Sequence, residues 1–571
     1  MPKKNRIALA LAISLIEGLQ IAGSNHYRGL VRRNVQQEEV LREEISKRNE
    51  APSVVAPEAS YDDGEDTQIE RDIRMLNPFL LVVERSLQGV SDLVTSFSNE
   101  ERRSREKRRI IILGSGWGSA SLLKSLGSSA RDDEITVISP RNFFLFTPML
   151  CGAAVGTVEY RSITEPVRSL NRNVNYFEAT ATHIDIQRQK VMCEAVVCEG
   201  QSCAISDFQV DYDILVTAVG ATTNTFGVPG VREYCIFLKQ LQDAVSLRQT
   251  VGNCFERANL PTATDEDRTT ALSFVIVGAG PTGVEFCSEL RDFLQEEASR
   301  FYPHLLPYVK IHLLEATTTV LGAFDQSLRD VALDALQSPR VGEFEIAPVD
   351  VRLGTAVKEI NATHVILGPQ EAVPYATCVW AAGIAPLRVV ADALNELGPQ
   401  QTEAQSVTRG RLAVDPYLRV LGLPSNKLGT FFAMGDCCAD AQAPLPATAQ
   451  VAAQQGEFLA RLFATGYDTT QDIPTRSGTK EPLAEAFCQT MDNTNLIIAR
   501  PFQFLDLGAL TYIGDSKALA QLPAGIKGQG GVAFALWRSV YIAKQMSLRN
   551  RLLIFGDWVR GRFFGRDLTR L

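Results

Sequence analysis

Short, fully apolar runs followed at once by glycine-rich turns occur twice in the chain. The first run, Ile110–Leu113, leads into Gly114-Ser-Gly-Trp-Gly118, and the second, Phe274–Val277, leads into Gly278-Ala-Gly-Pro-Thr-Gly283. A helical spacing of apolar residues follows each turn. A strand, a glycine turn and a helix in succession form the local structure that a dinucleotide requires. The pattern therefore predicts an α/β protein with two Rossmann-type dinucleotide-binding domains.

The first glycine turn departs from the usual fingerprint. Gly114, Gly116 and Gly118 are followed by a serine rather than by a correctly spaced third glycine. The next predicted strand, residues 135–138, runs into Ser139-Pro-Arg141, where a carboxylate usually holds a ribose. Spacing alone is therefore a weak indication of a nucleotide here, and an ordinary strand-helix turn stays open.

The second glycine turn carries a complete fingerprint in Gly278, Gly280 and Gly283. The next predicted strand, residues 311–314, ends in Glu315. A carboxylate at that point can accept hydrogen bonds from both ribose hydroxyls of NADH, and it repels the 2′-phosphate of NADPH. This turn is therefore predicted to bind NADH.

Three later strand ends share a pattern of small residues. Residues 212–220, 378–383 and 429–436 each run from apolar positions into small ones. Small side chains let the end of a strand pass close to a bound nucleotide. In flavoproteins with two dinucleotide sites, an aspartate at the end of the third of these strands binds the ribityl chain of FAD. The candidate residues at these ends are Ala218, Gly220, Ala382, Gly383, Gly435 and Asp436.

Composition narrows the class of protein. With 571 residues the chain is too long for one core, and its net charge of -9 offers nucleic acid no general attraction. Its 11 cysteines are scattered apart from the adjacent Cys437 and Cys438, and together with five histidines they show no spacing typical of a metal site. No nucleic-acid partner and no metal are predicted.

These motifs together resemble the type II (alternative, rotenone-insensitive) NADH:ubiquinone oxidoreductases, particularly the mitochondrial yeast-type enzymes. The matching stretches, from about residue 108 onward, include ILGSGWGSASLLK, ISPRNFFLFTPML, VIVGAGPTGVEFCSEL, PATAQVAAQQGEFLA and DLGALTYIGDSKALA. Ser-Pro-Arg in place of the ribose acid is usual in that family. The resemblance implies that FAD oxidises NADH and passes electrons to ubiquinone without proton pumping. It also implies that Ser139, Arg141, Thr147 and Pro148 contribute to FAD binding.

The resemblance also suggests where the electron acceptor binds. The family's quinone motif corresponds to Ala449, Gln450 and Gln454, and the two glutamines share one face of a helix. Ala453 stands where the yeast-type enzyme has a histidine. Glu285 matches a family glutamate that lies near flavin and nicotinamide and could couple proton to electron movement. From the residues alone, the glutamines could simply line a polar core, and Glu285 could be a first-turn glutamate that the helix dipole favours.

The two ends of the chain are predicted to serve targeting and membrane binding. The apolar run at residues 7–16 is too short to span a bilayer and lies in a basic segment typical of a transit peptide or a secretory signal. Residues 538–570 hold eight basic and two acidic residues among aromatic ones. Such amphipathic helices lie in a membrane interface, although a packing or homodimer helix would look the same. The predicted location is peripheral, at the mitochondrial inner membrane.

The predicted fold is therefore α/β, with two Rossmann-type domains arranged as in glutathione reductase and a C-terminal amphipathic membrane-anchoring region. The predicted division is 1–35 targeting segment, 36–107 linker and amphipathic helix, 108–270 first part of the FAD-binding domain, 271–400 NADH-binding domain, 401–480 second part of the FAD-binding domain with the quinone motif, and 481–571 membrane-anchoring region.

Three other functions stay open for such a fold. A disulfide reductase needs a redox cysteine pair on the first helix, and residues 119–135 contain no cysteine. A sulfide:quinone oxidoreductase needs cysteines at the flavin, and Cys437 and Cys438 adjoin the FAD aspartate. A flavoprotein like apoptosis-inducing factor would use its flavin for binding or signalling rather than for rapid quinone reduction.

Overall fold

A computed structural model describes residues 107–199, 202–342, 344–465 and 501–566. All of them belong to one of the two compact units of the chain, Ile69–Leu571. The predicted targeting segment, and the predicted linker and helix up to residue 106, lie outside the described residues.

Strands are numbered here in chain order. Up to residue 271 they are β1 (Arg109–Leu113), β2 (Glu134–Ser139), β3 (Phe143–Leu145), β4 (Thr164–Pro166), β5 (Asn175–Glu178), β6 (Thr180–Asp185), β7 (Lys190–Glu199), β8 (Ser202–Asp211), β9 (Ile214–Thr217), β10 (Thr222–Thr223) and β11 (Cys235–Phe237). Those that follow are β12 (Ser273–Val277), β13 (Lys310–Leu314), β14 (Arg340–Val341), β15 (Glu345–Ile346), β16 (Asp350–Arg352), β17 (Glu359–Ile360), β18 (His364–Gly368), β19 (Glu371–Pro374), β20 (Thr377–Trp380), β21 (Ile384–Ala385), β22 (Leu412–Val414), β23 (Phe431–Ala433), β24 (Cys438–Asp440), β25 (Ala509–Gly514), β26 (Lys517–Leu522) and β27 (Ile526–Gly530).

The α-helices are numbered in the same way. They are α1 (Trp117–Leu126), α2 (Leu150–Ala154), α3 (Val167–Leu170), α4 (Val231–Tyr234), α5 (Leu241–Ala258), α6 (Asp265–Ala271), α7 (Pro281–Phe293), α8 (Ser299–Phe301), α9 (Gln326–Gln337), α10 (Arg388–Glu396), α11 (Pro399–Thr408), α12 (Ala449–Thr465), α13 (Gly531–Ala543) and α14 (Leu548–Phe564).

Two five-stranded sheets form the frame of the protein. The first has the order β23-β9-β1-β2-β5, and the second has the order β11-β20-β12-β13-β16. All neighbours in both sheets are parallel. Helices cover both faces of such sheets, which explains why their central strands are almost continuously apolar. Both glycine turns follow the middle strand of a sheet, as the sequence predicts.

The chain passes between the two sheets more than once. Strand β23, from the region after residue 400, pairs with β9 of the first sheet. Strand β11 lies before residue 270 and yet pairs with β20 of the second sheet. The exact division of the chain into FAD-binding and NADH-binding parts therefore stays a prediction.

The C-terminal region forms a small antiparallel sheet followed by two helices. Strands β25, β26 and β27 pair in chain order, and α13 and α14 follow them. The sheet and helices bury Ile513, Leu519, Trp537 and Trp558 in the same apolar cluster as Phe286 of α7. This region is thus part of a core shared with the second glycine turn. Among the described residues, no helix is long and apolar enough to cross a bilayer.

Candidate functional site

The first glycine turn is shaped to hold a phosphate. Gly114 has φ of +103°, and a Cβ there would lie 2.4 Å from the carbonyl oxygen of Ala218. Around Gly116, by contrast, no described atom lies within 4 Å of where a Cβ would stand. This open position precedes the N-terminus of α1, where free N–H groups and the helix dipole favour an anion. A pyrophosphate fits here, and the open cradle is the observation that supports FAD.

Helix α12 packs closely on α1, and this contact depends on glycines. A Cβ at Gly456 would lie 2.2 Å from the carbonyl oxygen of Gly118, and Gly118 itself faces the side chain of Met434. The Gln455 side-chain oxygen accepts a hydrogen bond of 2.7 Å from the backbone N–H of Gly435. Helix α12, whose first residues carry the predicted quinone motif, therefore packs directly against the predicted FAD loop.

Polar side chains replace the missing ribose acid beside the first turn. The Ser139 hydroxyl donates to the Ser115 hydroxyl over 3.0 Å, and Ser115 donates to the Arg141 carbonyl over 2.9 Å. The Arg141 guanidinium donates to the side-chain oxygen of Gln240 over 2.5 Å. The structure thus brings Ser139 and Arg141 to the turn in a network of hydroxyls and a cation, and their role in FAD binding stays a prediction.

Asp436 lies beside a lysine that the sequence analysis missed. Burial raises the pKa of Asp436, and the positive charge of Lys239 opposes that rise. Burial likewise lowers the pKa of Lys239, against the effect of Asp436. Lys239 sits in the stretch FLKQLQDA just before α5, where neither a fingerprint nor a periodic pattern indicates a site. Only the tertiary fold brings the two charges together.

The second glycine turn has the same construction with a complete fingerprint. Gly278 has φ of +105°, and a Cβ at Gly283 would lie 1.9 Å from the Gly278 carbonyl oxygen. Around Gly280, at the N-terminus of α7, no described atom lies within 4 Å of the Cβ position. A side chain at Gly278 or Gly283 would approach backbone atoms too closely, and the open space at Gly280 again suits a pyrophosphate.

Glu315 lies at the tip of β13, directly over this turn. Its carboxylate accepts hydrogen bonds from the backbone N–H groups of Ala279, at 2.7 Å, and Thr317, at 2.8 Å. These two bonds fix the orientation of a half-buried carboxylate beside the phosphate cradle. A carboxylate oxygen has two lone pairs, so each oxygen can still accept a ribose hydroxyl.

The Ala382-Gly383 segment passes the turn on the opposite side. Gly383 has φ of +68°, and a Cβ there would lie 2.4 Å from the ring of Phe226. The Trp380 indole N–H donates to the carbonyls of Asn224, at 2.9 Å, and Ala382, at 3.1 Å. These contacts hold the strand end in place, and Asn224, Phe226 and Trp380 are site neighbours that the sequence motifs did not reveal.

The two glutamines of the predicted quinone motif bind backbone rather than each other. Gln454 donates to the Leu505 carbonyl over 2.8 Å and accepts from the Leu505 N–H over 3.0 Å. Gln450 accepts from the Leu507 N–H over 3.2 Å. Both amides therefore attach the segment that leads into β25 to α12.

A cavity lies where α2, α7, β25, α13 and α14 meet, and we call it the acid cavity. It contains two carboxylates of α7 among aromatic and aliphatic side chains. Its lining residues are Pro148, Met149, Cys151, Gly152, Thr157, Val158, Glu285, Glu289, Tyr512, Trp537 and Trp558. Next to Pro148, the Thr147 hydroxyl accepts from the indole N–H of Trp117 over 3.1 Å. The acid cavity thus adjoins the first glycine turn.

Glu285 is buried at the end of the acid cavity nearest the second turn. Its carboxylate accepts hydrogen bonds of 3.2 Å from the Thr511 hydroxyl and the Tyr512 backbone N–H. Burial raises its pKa to about 8, although those two hydrogen bonds act in the opposite direction. A carboxyl group with such a pKa can take up and release protons near neutral pH.

Cys437 and Cys438 do not have the properties of reactive thiols. Both are buried. The Cys437 thiol donates to the carbonyls of Thr217, at 3.3 Å, and Met434, at 3.2 Å. Burial raises the pKa of Cys437 to about 12 and that of Cys438 well above its usual value. Since the thiolate is the nucleophile, these cysteines give no support to a sulfide-oxidising site.

Comparison with known proteins agrees with this geometry. Residues 108–456 match the sequence profile of the pyridine nucleotide-disulphide oxidoreductases, and residues 507–567 match the NDH2 C-terminal domain. A probable NADH dehydrogenase of Dictyostelium discoideum is 37% identical and covers 86% of this chain and 98% of its own. The external NADH-ubiquinone oxidoreductase 2, mitochondrial, of Saccharomyces cerevisiae is 35% identical and covers 83% of each chain.

Solved structures show the same fold. NDH2 from Plasmodium falciparum, in complex with NADH, has a TM-score of 0.68 at 24% identity and covers 81% of this chain and 100% of its own. The sulfide:quinone oxidoreductase from Aquifex aeolicus has a TM-score of 0.52 at 18% identity, over 81% of this chain and 96% of its own.

The relatives also indicate the location and the family. Several carry the word mitochondrial in their names, which confirms the predicted mitochondrial location. The profile matches and the relatives together cover both glycine turns and the C-terminal region. The chain belongs to the pyridine nucleotide-disulphide oxidoreductase family, within its type II NADH dehydrogenase branch, as its motifs predict.

Proposed function

We propose that this protein oxidises NADH by means of FAD and reduces ubiquinone at the surface of the mitochondrial inner membrane, without proton pumping. The observation that supports this proposal best is the acid cavity. It brings Pro148, next to the first glycine turn, together with Glu285, behind the second turn, and with the C-terminal helices. The Saccharomyces cerevisiae relative is named an NADH-ubiquinone oxidoreductase, and the same reaction suits this arrangement.

On the donor side, the chain holds and orients NADH. Gly278, Gly280 and Gly283 receive the pyrophosphate at the N-terminus of α7, and Glu315 accepts the ribose hydroxyls. Ala382 and Gly383 border the nicotinamide. Positioning is the main contribution of these residues, because hydride transfer is chemistry that the cofactor supplies.

On the flavin side, the first sheet holds FAD. Gly114, Gly116 and Gly118 receive its pyrophosphate, while Asp436 accepts from its ribityl chain after Gly435. The remaining FAD-binding residues are Ser139, Arg141, Thr147, Pro148, Ala218 and Gly220. When bound, FAD would supply a hydride acceptor for NADH and a two-electron donor for ubiquinone. The positive charge of Lys239 opposes the rise in the pKa of Asp436 that burial causes.

On the acceptor side, the start of α12 contributes to the quinone site. Gln450 uses its side-chain oxygen on Leu507, and its amide N–H group makes no hydrogen bond within the described residues. That donor is placed to bind a quinone carbonyl next to Ala449. Gln454 fixes Leu505 from both sides and so positions the wall of the site.

The outer face of α14 suits a bilayer surface. Its inner face buries Asn550, Ile554 and Trp558. A second apolar stripe faces outward at the helical spacing of four, three, four and four residues, with exposed fractions between 41% and 77%. The stripe consists of Leu548, Leu552, Phe555, Val559 and Phe563. A helix that is apolar on its outer face and rich in arginine binds the interface of a membrane. A homodimer contact through the same stripe is the alternative.

Steady-state kinetics test the proposed function. The FAD-loaded full chain is assayed with NADH and a short-chain ubiquinone, with rotenone present, and sulfide replaces NADH in a parallel assay. We expect rotenone-insensitive oxidation of NADH with one quinol formed per NADH, and no oxidation of sulfide. Oxidation of sulfide, or oxidation of NADH with ferricyanide but not with quinone, would contradict the proposal.

A further inference from the structure

Reduction of a quinone needs one more proton than NADH supplies. The balanced reaction is NADH + H⁺ + quinone → NAD⁺ + quinol, because the hydride carries two electrons and one proton. The additional proton comes from water, while Glu285, the glutamate that the family resemblance links to proton movement near the flavin, is buried in the acid cavity. The chain must therefore provide a route for protons into this cavity, and this reasoning rests on the proposed function.

A row of buried carboxylates runs along α7 from the cavity toward the surface. Glu285 and Glu289 are four residues apart, and Asp292 is three further on, so all three lie on one face of the helix. Their residues are between 5% and 7% exposed. Glu285 and Glu289 line the same cavity. Buried acids are costly unless hydrogen-bonded, so two of them in one cavity call for an explanation.

Glu289 has contacts that suit a group that changes its protonation state. The Thr157 hydroxyl donates to its carboxylate over 2.5 Å, and this hydroxyl can reverse its role toward a protonated carboxyl group. A Cβ at Gly152 would lie 3.3 Å from the other carboxylate oxygen, so the glycine leaves space for it. The Glu289 carboxylate therefore lies in a close-fitting position that is open to the cavity.

A single arginine connects Glu289 with the solvent. The Arg566 guanidinium lies 3.5 Å from the Glu289 carboxylate and 3.1 Å from that of Glu296, whose side chain is 59% exposed. Arg566 lies two residues after the end of α14, and its backbone N–H donates to Glu297 over 2.6 Å. Glu289 is therefore linked through Arg566 to an exposed carboxylate near the end of α14.

The groups around Glu289 adjust its proton affinity. Burial raises its pKa to about 7, and Arg566 opposes the rise. Burial raises the pKa of Glu285 as well, so both carboxyl groups can exchange protons near neutral pH. The titratable and charged groups that face Glu289 are Glu285 and Asp292 on α7, Glu296 in the turn of helix Leu294–Ala298 that follows it, Cys151 on α2, Tyr512 on β25, Arg538 on α13 and Arg566 after α14.

We infer that Glu289 passes protons from the solvent at Arg566 and Glu296 to Glu285, which delivers them to the quinone. Glu289 acts through Glu285 and does not itself touch the quinone or the flavin. Glu289 is therefore a positioning residue. Its loss should slow turnover only with an acceptor that takes up protons.

The pH dependence of variant Glu289→Gln tests this inference. We expect its rate with NADH and short-chain ubiquinone to be within twofold of wild type at pH 6 and at least about tenfold lower at pH 8, because direct protonation from water becomes slower as protons become scarce. Its rate with NADH and ferricyanide, an acceptor that takes up no proton, should stay within twofold at both pH values. Glu289→Asp, which keeps a carboxyl group on a shorter side chain, should give a quinone rate at pH 8 between those of Glu289→Gln and wild type.

Glu266→Gln is the matched control, because it removes an exposed carboxylate of α6 that takes no part in the proposed route, and its quinone rates should follow wild type at both pH values. A quinone profile of Glu289→Gln that runs parallel to wild type from pH 6 to pH 8 overturns the inference. If Glu289→Gln loses FAD, Glu289→Asp alone decides, since its shorter side chain should still lower the rate at pH 8 more than at pH 6. A wild-type protein that reduces no quinone contradicts instead the proposed function.

Discussion

Replacement of the ionisable Glu285 by glutamine should change how the free energy of unfolding depends on pH. Burial raises the pKa of this carboxyl group from 4.5 to about 8. In the unfolded chain the group ionises near its usual pKa, so between about pH 4.5 and pH 8 the folded state binds a proton that the unfolded state has lost. The free energy of unfolding then falls by about 1.4 kcal/mol per pH unit, and by up to about 5 kcal/mol in total. The loss is complete above pH 8, and Glu285→Gln removes it.

Urea unfolding of the FAD-loaded full chain at pH 5.5 and pH 8.5 measures this effect. We expect Glu285→Gln to gain stability over wild type between the two pH values, by up to about 3.5 kcal/mol for this interval. Glu289 is present in both proteins and cancels in the comparison. Glu266→Gln, an exposed acid in the first turn of α6, serves as the control and should show no such gain. An equal stability difference between wild type and Glu285→Gln at both pH values would show that Glu285 is not a buried acid.

Three further predictions concern the cofactor loops and the membrane face. Glu315→Gln should lower the kcat/KM ratio of NADH over NADPH by about tenfold, since it removes the repulsion of a 2′-phosphate, and an unchanged ratio refutes this role. Gly456→Ala should lower the melting temperature and release FAD, because its Cβ would meet the Gly118 carbonyl at 2.2 Å and lower the free energy of unfolding by about 1–3 kcal/mol. The control Gly556→Ala, with no described atom within 4 Å of its Cβ, should do neither. Leu552→Asp should weaken binding to anionic liposomes while the NADH:ferricyanide rate stays within twofold, and unchanged liposome binding would favour a dimer contact.

The dinucleotide part of the fold could be predicted because its signals are local. The four strands predicted around the glycine turns, 110–113, 135–138, 274–277 and 311–314, each lie within one residue of an observed strand, and Gly114 and Gly278 both adopt the positive φ that their turns require. The predicted helix after the second turn is α7. These elements depend on short apolar runs and on steric demands at single glycines, which a sequence displays directly.

The acid cavity could not be predicted, because its walls come from distant parts of the chain. From Gly283 to Phe293 every residue of α7 is buried, including three acids, because β25 and the C-terminal helices cover a face that would otherwise be solvated. The same covering brings Thr511 and Tyr512 to Glu285 across more than 220 residues of sequence. A helical pattern alone assigns such acids to an exposed face. The three-stranded sheet that carries these partners gave no comparable local signal.

The quinone motif shows a second limit of sequence reasoning. The four-residue spacing of Gln450 and Gln454 correctly places both on one face of α12. Spacing does not reveal that Leu505 and Leu507 meet that face, about 50 residues later in the chain. The structure therefore separates Gln450, which binds the segment through its side-chain oxygen, from Gln454, which binds it through both its oxygen and its amide N–H.

The most direct test of the account follows the flavin itself. The purified protein is mixed anaerobically with one equivalent of NADH, and the loss of flavin absorbance is recorded in a stopped-flow instrument. A short-chain ubiquinone is then added. We predict that the absorbance returns at a rate at least equal to kcat for NADH:ubiquinone turnover, with one quinol formed per NADH. An absorbance that returns more slowly than kcat, or not at all, would contradict the claim that bound flavin connects NADH with ubiquinone.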